Sequence, residues 1–241
     1  MHQIHSKVWE RKEVLRYIYS DYYKKIENSC FNGLVLEVGS GIGKLSIKDC
    51  KIIKIDILYS EDIDITCDAH KLPFRSAVFD NIVLFDVFHH LESPLYFLKE
   101  ARRVLKPNGR IIFLEPGISP LSWIFYNFFH QEEVNFNYSF SKDYKLNSEK
   151  DPYDSNQAIP TILFEKQRYL IDELGFSLIQ KKWISLFAYP LSGGFKEWSL
   201  INKKVAIFLL KLENFLEPFL GKLIGFRIFC VLEKNSKFDQ R

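Results

Sequence analysis

The sequence predicts an α/β fold: a doubly wound, mainly parallel sheet of seven strands, with an aromatic-rich helical and loop addition over the pocket. Short apolar runs alternate with helical patterns between residues 33 and 116, which is typical of parallel strands joined by crossover helices. Glycines cluster directly after the first run, and several later runs end in an acidic residue. Because carboxyl ends of parallel strands share one edge, we expect a common site there. Residues 1–241 are expected to form a single domain.

The composition is that of an ordinary globular chain. Of its 241 residues, 47% are hydrophobic and 26% are charged, which allows a sizeable core and excludes wholesale disorder. The net charge of +3 is spread along the chain, so no nucleic-acid partner is expected, since such proteins carry a clustered basic face. The four cysteines form no CxxC pair, which argues against a disulfide framework and favours a reducing cytoplasm.

No membrane-spanning segment is expected. The first residues, MHQIHSKVWERKE, lack the apolar stretch of a signal peptide. No run reaches the roughly 18 apolar residues of a spanning helix. We therefore expect a soluble, cytoplasmic protein, either a monomer or a homodimer.

The first half of the chain gives clear helix and strand patterns. Residues 14–26 have the apolar spacing of an amphipathic helix. Ser93 and Pro94 favour a helix start, with the helix over 95–105 and a turn at 106–109. Strands are predicted over 33–39, 51–57, 63–69, 81–88 and 110–116, and a short helix is expected within 44–50.

The second half is less regular and rich in aromatic residues, which either fill a core or form an apolar pocket or lid. Helices are predicted over 121–129 and 163–174, strands over 176–186 and 225–234, and a long excursion over 131–159. Gly193 and Gly194 suit a hairpin turn or, alternatively, a substrate loop. An apolar helical face runs from Val205 to Phe219 (Val205, Phe208, Leu209, Leu212, Phe215, Leu216, Phe219). We expect it to pack on the sheet; a substrate wall, a dimer surface and a weak membrane-surface contact are the alternatives.

The glycine loop V-L-E-V-G-S-G-I-G indicates close approach of a ligand to the backbone. The dinucleotide fingerprint GxGxxG would need its third glycine at position 44, where this chain has Lys44. Asp56 ends the second predicted strand 19 residues after Glu37, a spacing suited to binding ribose hydroxyls. Asp68 and Ala69 end the third strand, where an adenine ring would lie. The alternative is that the glycines form only a structural turn.

Four segments together resemble the class I S-adenosylmethionine-dependent methyltransferases. They are LEVGSGIG, the acid in KIDIL, CDAHKLPFRSAVFDNIVLFDVFHHL and LKEARRVLKPNGRIIFLEP, within residues 33–116. The resemblance implies a Rossmann-like methyltransferase fold, S-adenosylmethionine as cofactor and S-adenosylhomocysteine as product. It implies that residues 33–116 bind the cofactor and 117–241 form the acceptor side and the last strands. The implied cofactor-binding residues are Glu37, Gly39, Ser40, Gly41, Gly43, Asp56, Ile57, Asp68, Ala69, Asp86 and Val87.

Methyl transfer mainly requires alignment of acceptor and methyl group, and a general base assists when the acceptor is a hydroxyl. Among the candidates His89, His90 and His130, we expect His90 and His130 to serve, with Glu115 as an acid at the pocket edge. The alternative for each histidine is an exposed loop position or a hydrogen-bonded place in the core. Adjacent histidines do not have metal-ligand spacing, so no metal is expected.

The expected function is methyl transfer to a small-molecule, glycan or lipid-linked acceptor. The Asn-Pro-Pro-aromatic motif of amino-group methylation is absent after the fourth strand, where the chain reads DVFH. Two alternatives remain at this point. One is a nicotinamide-dependent oxidoreductase, and the other is a non-catalytic binding or scaffold protein that keeps the cofactor fold.

Overall fold

The computed structural model describes residues 2–129, 133–141, 151, 153–236 and 238. A seven-stranded sheet has the order β3-β2-β1-β4-β5-β7-β6. Its strands are β1 (Gly33–Val38), β2 (Cys50–Asp56), β3 (Ile65–Thr66), β4 (Phe79–Phe85), β5 (Leu105–Pro116), β6 (Phe176–Ile184) and β7 (Arg227–Lys234). The pairs from β3 to β5 are parallel, and β7 is antiparallel to both β5 and β6. The predicted doubly wound, mainly parallel sheet is confirmed.

Strand order reverses between β1 and β4, which are neighbours in the centre of the sheet. The chain moves outward from β1 to β2 and β3, then returns to place β4 on the other side. Crossovers that diverge in this way leave a crevice at the carboxyl ends of the two central strands. The glycine loop after β1 and Asp86 after β4 therefore lie at the same edge.

Helices cover both faces of the sheet. They are α1 (His2–Arg11), α2 (Glu13–Glu27), α3 (Pro94–Val104), α4 (Pro120–Phe129), α5 (Ile159–Thr161), α6 (Tyr169–Glu173), α7 (Ala188–Ser192) and α8 (Lys203–Ile224). Side chains alternate along β5, so that Phe113 packs with α3 and α6 on one face. Ile112 packs with α2, α7 and α8 on the other. This alternation explains why the strand is apolar at consecutive positions.

The helix predicted within residues 44–50 is wrong, since these residues form a loop followed by the start of β2. Leu45 and Ile47 are each 5% exposed, whereas Ser46 and Lys48 between and after them are exposed. Burial of every second residue is the pattern of an extended chain. The helix was inferred from the fold class rather than from periodicity.

The predicted helix over 163–174 is also incorrect, because it is divided. A wide turn over Ile162–Lys166 follows α5, closed by a hydrogen bond from Gln167 N–H to Ile162 O (2.9 Å). This i to i+5 bond is characteristic of a π-turn. It carries Glu165 to Trp183, whose indole Nε1–H donates to the carboxylate (2.9 Å). The predicted third strand is likewise reduced to the two residues of β3.

The apolar face of α8 does not pack on the sheet as predicted. Phe208, Phe215 and Phe219 are 65%, 70% and 73% exposed. The helix instead turns its small and polar side inward, with Ala206, Leu210, Glu213 and Gly221 buried. A Cβ on Gly221 would lie 2.5 Å from the carbonyl oxygen of Trp183, so only glycine permits this approach.

Gly193 and Gly194 do not form the predicted hairpin turn. Gly193 ends α7 in the left-handed region (φ 73°), a common way to end a helix. Lys12 lies against the loop that follows, where its ammonium donates to the carbonyl oxygens of Gly194 (2.8 Å), Lys196 (2.7 Å) and Trp198 (2.8 Å). Among the helices that the structure describes, none is both long and apolar enough to cross a membrane.

Candidate functional site

Each glycine of the loop after β1 has a positive φ, but only one faces open space. A Cβ on Gly39 would lie 2.4 Å from Val87, and one on Gly43 would lie 2.9 Å from Asp62. At Gly41 the nearest atom to such a Cβ is 4.0 Å away. Gly39 and Gly43 therefore serve packing, whereas Gly41 leaves its backbone accessible to a ligand.

The ends of β1 and β2 are joined around Asp56. Its carboxylate accepts the N–H of Gly41 (3.0 Å) and the N–H of Leu58 (2.9 Å). Ser40 N–H donates to Ile55 O (3.0 Å), which fixes the loop on the strand beside it. Four of the predicted positions, Glu37, Ser40, Gly41 and Asp56, are thus brought together. Ile57, also predicted, is 54% exposed beside them.

Glu37 lies beneath the loop and is 7% exposed. Its Oε2 is buried without a hydrogen-bond partner among the residues that the structure describes. Burial raises the pKa of this carboxyl to about 7. Burial, and then the charges of Glu37 and Asp86, raise the pKa of Tyr23. A molecule that donates to Glu37 would satisfy this oxygen.

The predicted adenine-binding pair after β3 is held by a histidine that the sequence prediction missed. Asp68 accepts the backbone N–H of His70 (2.8 Å), and its Oδ1 lies 2.7 Å from His70 Nδ1. His70 Nε2 accepts the N–H of Ser93 (3.2 Å), so the proton between the ring and the carboxylate belongs on Nδ1. Ala69 is 9% exposed and joins the core. The arrangement ties the end of β3 to the start of α3.

Asp86, one of the predicted cofactor-binding residues, pairs with an arginine that was not predicted to contact it. It has a positive φ of 57°, and it forms an ion pair with Arg227 through both oxygens, one of them 2.8 Å from Nη2. The Arg227 side chain is 4% exposed. Its guanidinium lies 4.3 Å from the ring centroid of Tyr189 and 5.4 Å from that of Phe85. Asp86 therefore links β4 to β7.

Glu115 is not the pocket-edge acid that the sequence predicted, because it is 0% exposed. One oxygen accepts the backbone N–H of Val87 (3.0 Å) and of Phe88 (2.9 Å). The other lies 2.7 Å from Nδ1 of His89, whose ring is 3% exposed. The carboxylate therefore orients both the loop after β4 and the imidazole. This pairing favours His89 over the predicted His90.

A cavity of about 580 Å³ lies beside this pair, between residues 89–92 and the segments 133–138 and 153–159. His89 lines it, and Asn156 N–H donates to His89 O (3.0 Å), which fixes the two segments together. Three carboxylates also line it, from Glu92, Glu133 and Asp154. His90 is not among its lining residues.

Tyr153 also lines the cavity. Burial, and then the charges of Asp56 and Asp151, raise the pKa of Tyr153. The predicted catalytic residue His130 lies outside the described residues. Within the described part of the chain, no three His, Cys, Asp or Glu side chains are placed to hold a metal ion.

The contacts of Arg227 and His70 were not predicted, although each residue has a recognisable signal in the sequence. Arg227 is a charged residue in an otherwise apolar strand, R-I-F-C-V-L, and a buried charge requires a partner. His70 follows Asp68 closely enough for a local turn. Neither signal identifies the partner when it is distant in sequence.

Residues 36–113 match the family model described as a methyltransferase domain. The chain is similar to demethylmenaquinone methyltransferase of Bacillus subtilis, with 28% identity over 107 residues, 43% of each chain. It is similar to the enzyme of the same name from Thermotoga maritima, with 36% identity over 72 residues, 29% of this chain and 31% of that one. The chain thus spans less than half the length of these curated relatives.

The fold matches that of solved structures over the whole sheet. A SAM-dependent methyltransferase from Thermotoga maritima superposes with a TM-score of 0.55 and 18% identity, covering 98% of this chain and 100% of that one. At this identity the similarity concerns the fold. It includes β6, β7 and α8, which lie beyond the family match.

Proposed function

We propose, from the premise that this chain belongs to the class I S-adenosylmethionine-dependent methyltransferases, that it transfers a methyl group to a small molecule bound in the cavity beside His89. The observation that carries the proposal is the buried His89–Glu115 pair in the cavity wall. Residues 33–116 would hold the cofactor and residues 117–241 the acceptor side, with strands of both in one sheet.

The residues at the cofactor edge fit this cofactor. Gly41 leaves backbone open to a ligand, and the buried Oε2 of Glu37 requires a donor. S-adenosylmethionine, when bound, supplies a methyl group activated by a sulfonium and an ammonium that can donate hydrogen bonds. We assign the methionine and ribose portion to Glu37, Gly39, Ser40, Gly41, Gly43 and Val87, the ribose hydroxyls to Asp56 with Ile57, and the adenine to Asp68 with Ala69. Asp86 would act as a positioning residue through Arg227.

His89 is the proposed general base. Because Nδ1 is held by Glu115, Nε2 is the ring atom that takes the proton lost by the acceptor. Glu115 fixes the ring orientation and stabilises the imidazolium that forms, as a buried carboxylate does in a catalytic triad. The same carboxylate fixes the backbone of Val87, which packs on Gly39. Glu115 therefore positions both the proposed base and the glycine loop, which favours alignment of the acceptor with the methyl group.

The cavity chemistry favours a neutral or cationic acceptor. Glu92, Glu133 and Asp154 line it, and the lining residues that the structure describes include no lysine or arginine. A phosphate or carboxylate acceptor would meet like charge there. Demethylmenaquinone, named for both curated relatives, is the first acceptor to test, and glycan and lipid-linked acceptors complete the screen.

Calorimetric titration with S-adenosylmethionine, S-adenosylhomocysteine and NAD tests the cofactor. We expect micromolar binding of the two sulfur nucleotides, weakened at least about tenfold by Asp56→Ala. The exposed Asp172→Ala on α6 is the matched control and is expected to bind as the unchanged protein does. Binding of NAD instead would support an oxidoreductase. Binding without methyl transfer to any acceptor would support a binding protein.

A further inference from the structure

The exposed side of α8 and the adjacent α4 form an apolar surface that we name the aromatic face. On α8 it comprises Phe208, Phe215, Phe219 and Leu223, between 54% and 73% exposed. On α4 it comprises Leu121, Ile124 and Phe128, between 42% and 72% exposed. Contiguous apolar surface of this kind marks an interaction site.

The two helices are neighbours, joined where α8 leads into β7. The ring of Phe226 lies 5.3 Å from that of Phe125 and 6.2 Å from that of Tyr126. These inner aromatic residues of α4 occupy the packing side, which explains why Ile124 and Phe128 turn outward. The two exposed faces are therefore adjacent parts of one region of the molecule.

The charges on α8 are sorted by side. Lys204, Lys211 and Lys222 are on its exposed side, with the Lys222 side chain 76% exposed and its Nζ 3.6 Å from Glu165. The two acids of the helix lie inward, Glu213 at 2% exposure and Glu217 half-buried. The α4 sequence, PLSWIFYNFF, contains no charged residue.

This combination of phenylalanines with flanking lysines, and without exposed carboxylates on the helix, is complementary to an anionic lipid surface. Aromatic side chains enter the interface while lysines extend their ammonium groups to the phosphates. A second copy of the chain would bring like charges together across a symmetric contact. With 22 residues, α8 would lie along the surface over roughly 33 Å.

We propose that the aromatic face docks this protein on an anionic phospholipid bilayer. The end of α8 and the start of α4 both adjoin the carboxyl end of β5, where Pro116 pairs with Arg227. Docking therefore places the edge of the sheet that carries the candidate site near the bilayer. The docking itself requires neither cofactor nor methyl transfer, so it stands or fails independently of the proposed function.

Vesicle co-sedimentation of the full chain tests the proposal. We expect binding to phosphatidylcholine vesicles containing phosphatidylglycerol, and at least about tenfold weaker binding to phosphatidylcholine alone. The double substitution Phe215→Ser with Phe219→Ser should weaken binding at least about tenfold, and Lys211→Gln about fivefold. Tyr169→Ser, at a 57% exposed aromatic on α6, is the matched control and should bind as the unchanged chain does.

Failure of the unchanged chain to bind anionic vesicles would overturn the proposal, as would equal binding by the double variant. A double variant that changes from dimer to monomer in size-exclusion chromatography, with no vesicle effect, would assign the face to a second copy instead. The substituted side chains are exposed, so the melting temperature should be retained; should the double variant not fold, Phe219→Ser alone and Lys211→Gln carry the test.

Discussion

The predicted cofactor edge and the predicted acceptor side differ in the sequence separation of the residues that contact each other. At the cofactor edge, Gly41 bonds Asp56 across 15 residues and His70 bonds Asp68 across two. On the acceptor side, Arg227 reaches Asp86 across 141 residues, and Asn156 packs against His89. One half of the site thus depends on local geometry and the other on the finished fold.

The difference teaches where similarity to known proteins can be expected. A loop that requires positive φ at fixed positions allows few residues besides glycine, so the spacing of its glycines can be recognised in the sequence. A cavity wall allows many combinations of side chains that fill the same space. The family match accordingly covers residues 36–113, whereas most residues that line the cavity lie in the segments 133–138 and 153–159.

The largest expected effect concerns the residue where the two regions meet. His89→Asn should lower turnover about 10²- to 10⁴-fold and leave S-adenosylmethionine affinity unchanged, because it removes a base and no cofactor contact. Steady-state methyl transfer across pH, together with calorimetry, measures both. His90→Asn is the paired substitution, and a larger loss there than at His89 would contradict the assignment.

Removing the ion pair between Asp86 and Arg227 should mainly affect the stability of the fold. Asp86→Asn should destabilise the protein by about 2–4 kcal/mol, because it leaves the Arg227 guanidinium buried without its counter-charge. Urea denaturation measures this change. Asp86→Asn with Arg227→Met should recover much of the loss, since the double variant has no buried charge and asparagine tolerates the positive φ of this position. A loss below about 1 kcal/mol in Asp86→Asn would show that the pair is not needed.

Buried carboxyls make the stability of the cofactor-free protein depend on pH. Burial raises the pKa of Glu37 to about 7 and that of Glu217 to about 7, above their ordinary value of 4.5. The folding stability that these two carboxyls contribute in their protonated form is complete below pH 4.5 and is lost as pH rises through about 7. Glu37→Gln should therefore stabilise the protein by roughly 1–3 kcal/mol at pH 8.

Thermal denaturation from pH 5 to 9 measures that effect, and a matched substitution separates stability from binding. Glu217→Gln should give a similar stabilisation while leaving cofactor affinity intact. Glu37→Gln should weaken the binding of S-adenosylmethionine. Equal cofactor affinity in both variants would remove Glu37 from the cofactor site.

The smallest effect on stability is expected inside the glycine loop. Gly41→Ala should lower the free energy of unfolding by about 1 kcal/mol, because the positive φ of this residue is the one feature that disfavours a side chain there. The same substitution should weaken the binding of S-adenosylmethionine about tenfold. Gly39→Ala should destabilise more, since its Cβ would overlap Val87. Melting temperatures with calorimetry distinguish the two. Unchanged affinity in Gly41→Ala would place the ligand elsewhere.

The sequence predicted much of the fold because apolar runs mark buried strands independently of their partners. It placed five of the seven strands to within three residues, whereas β3 is shorter than predicted and β5 begins at Leu105, before the predicted turn over 106–109. The helix predictions failed at residues 44–50 and 163–174, where a short extended segment and a wide turn replace a regular helix. For α8, periodicity revealed an apolar face but not which side packs, because Ala206 and Gly221 give close packing without hydrophobic bulk.

For the site, the sequence identified positions better than roles. Asp56, Glu37 and the glycines meet at one edge as predicted, since strand ends fix their position. Glu115 was recognised as an acid at a strand end, but its burial and its partner His89 depend on packing that adjacent residues do not encode. The ion pair of Asp86 with Arg227 was missed for the same reason.

Glu115 connects the two regions of the site through one carboxylate. One of its oxygens accepts the backbone N–H of Val87, whose side chain lies against Gly39, and the other lies 2.7 Å from Nδ1 of His89. A substitution at Glu115 therefore disturbs the glycine loop and the imidazole together. Its effect on turnover consequently does not add to that of a substitution at His89, because the two residues share one contact.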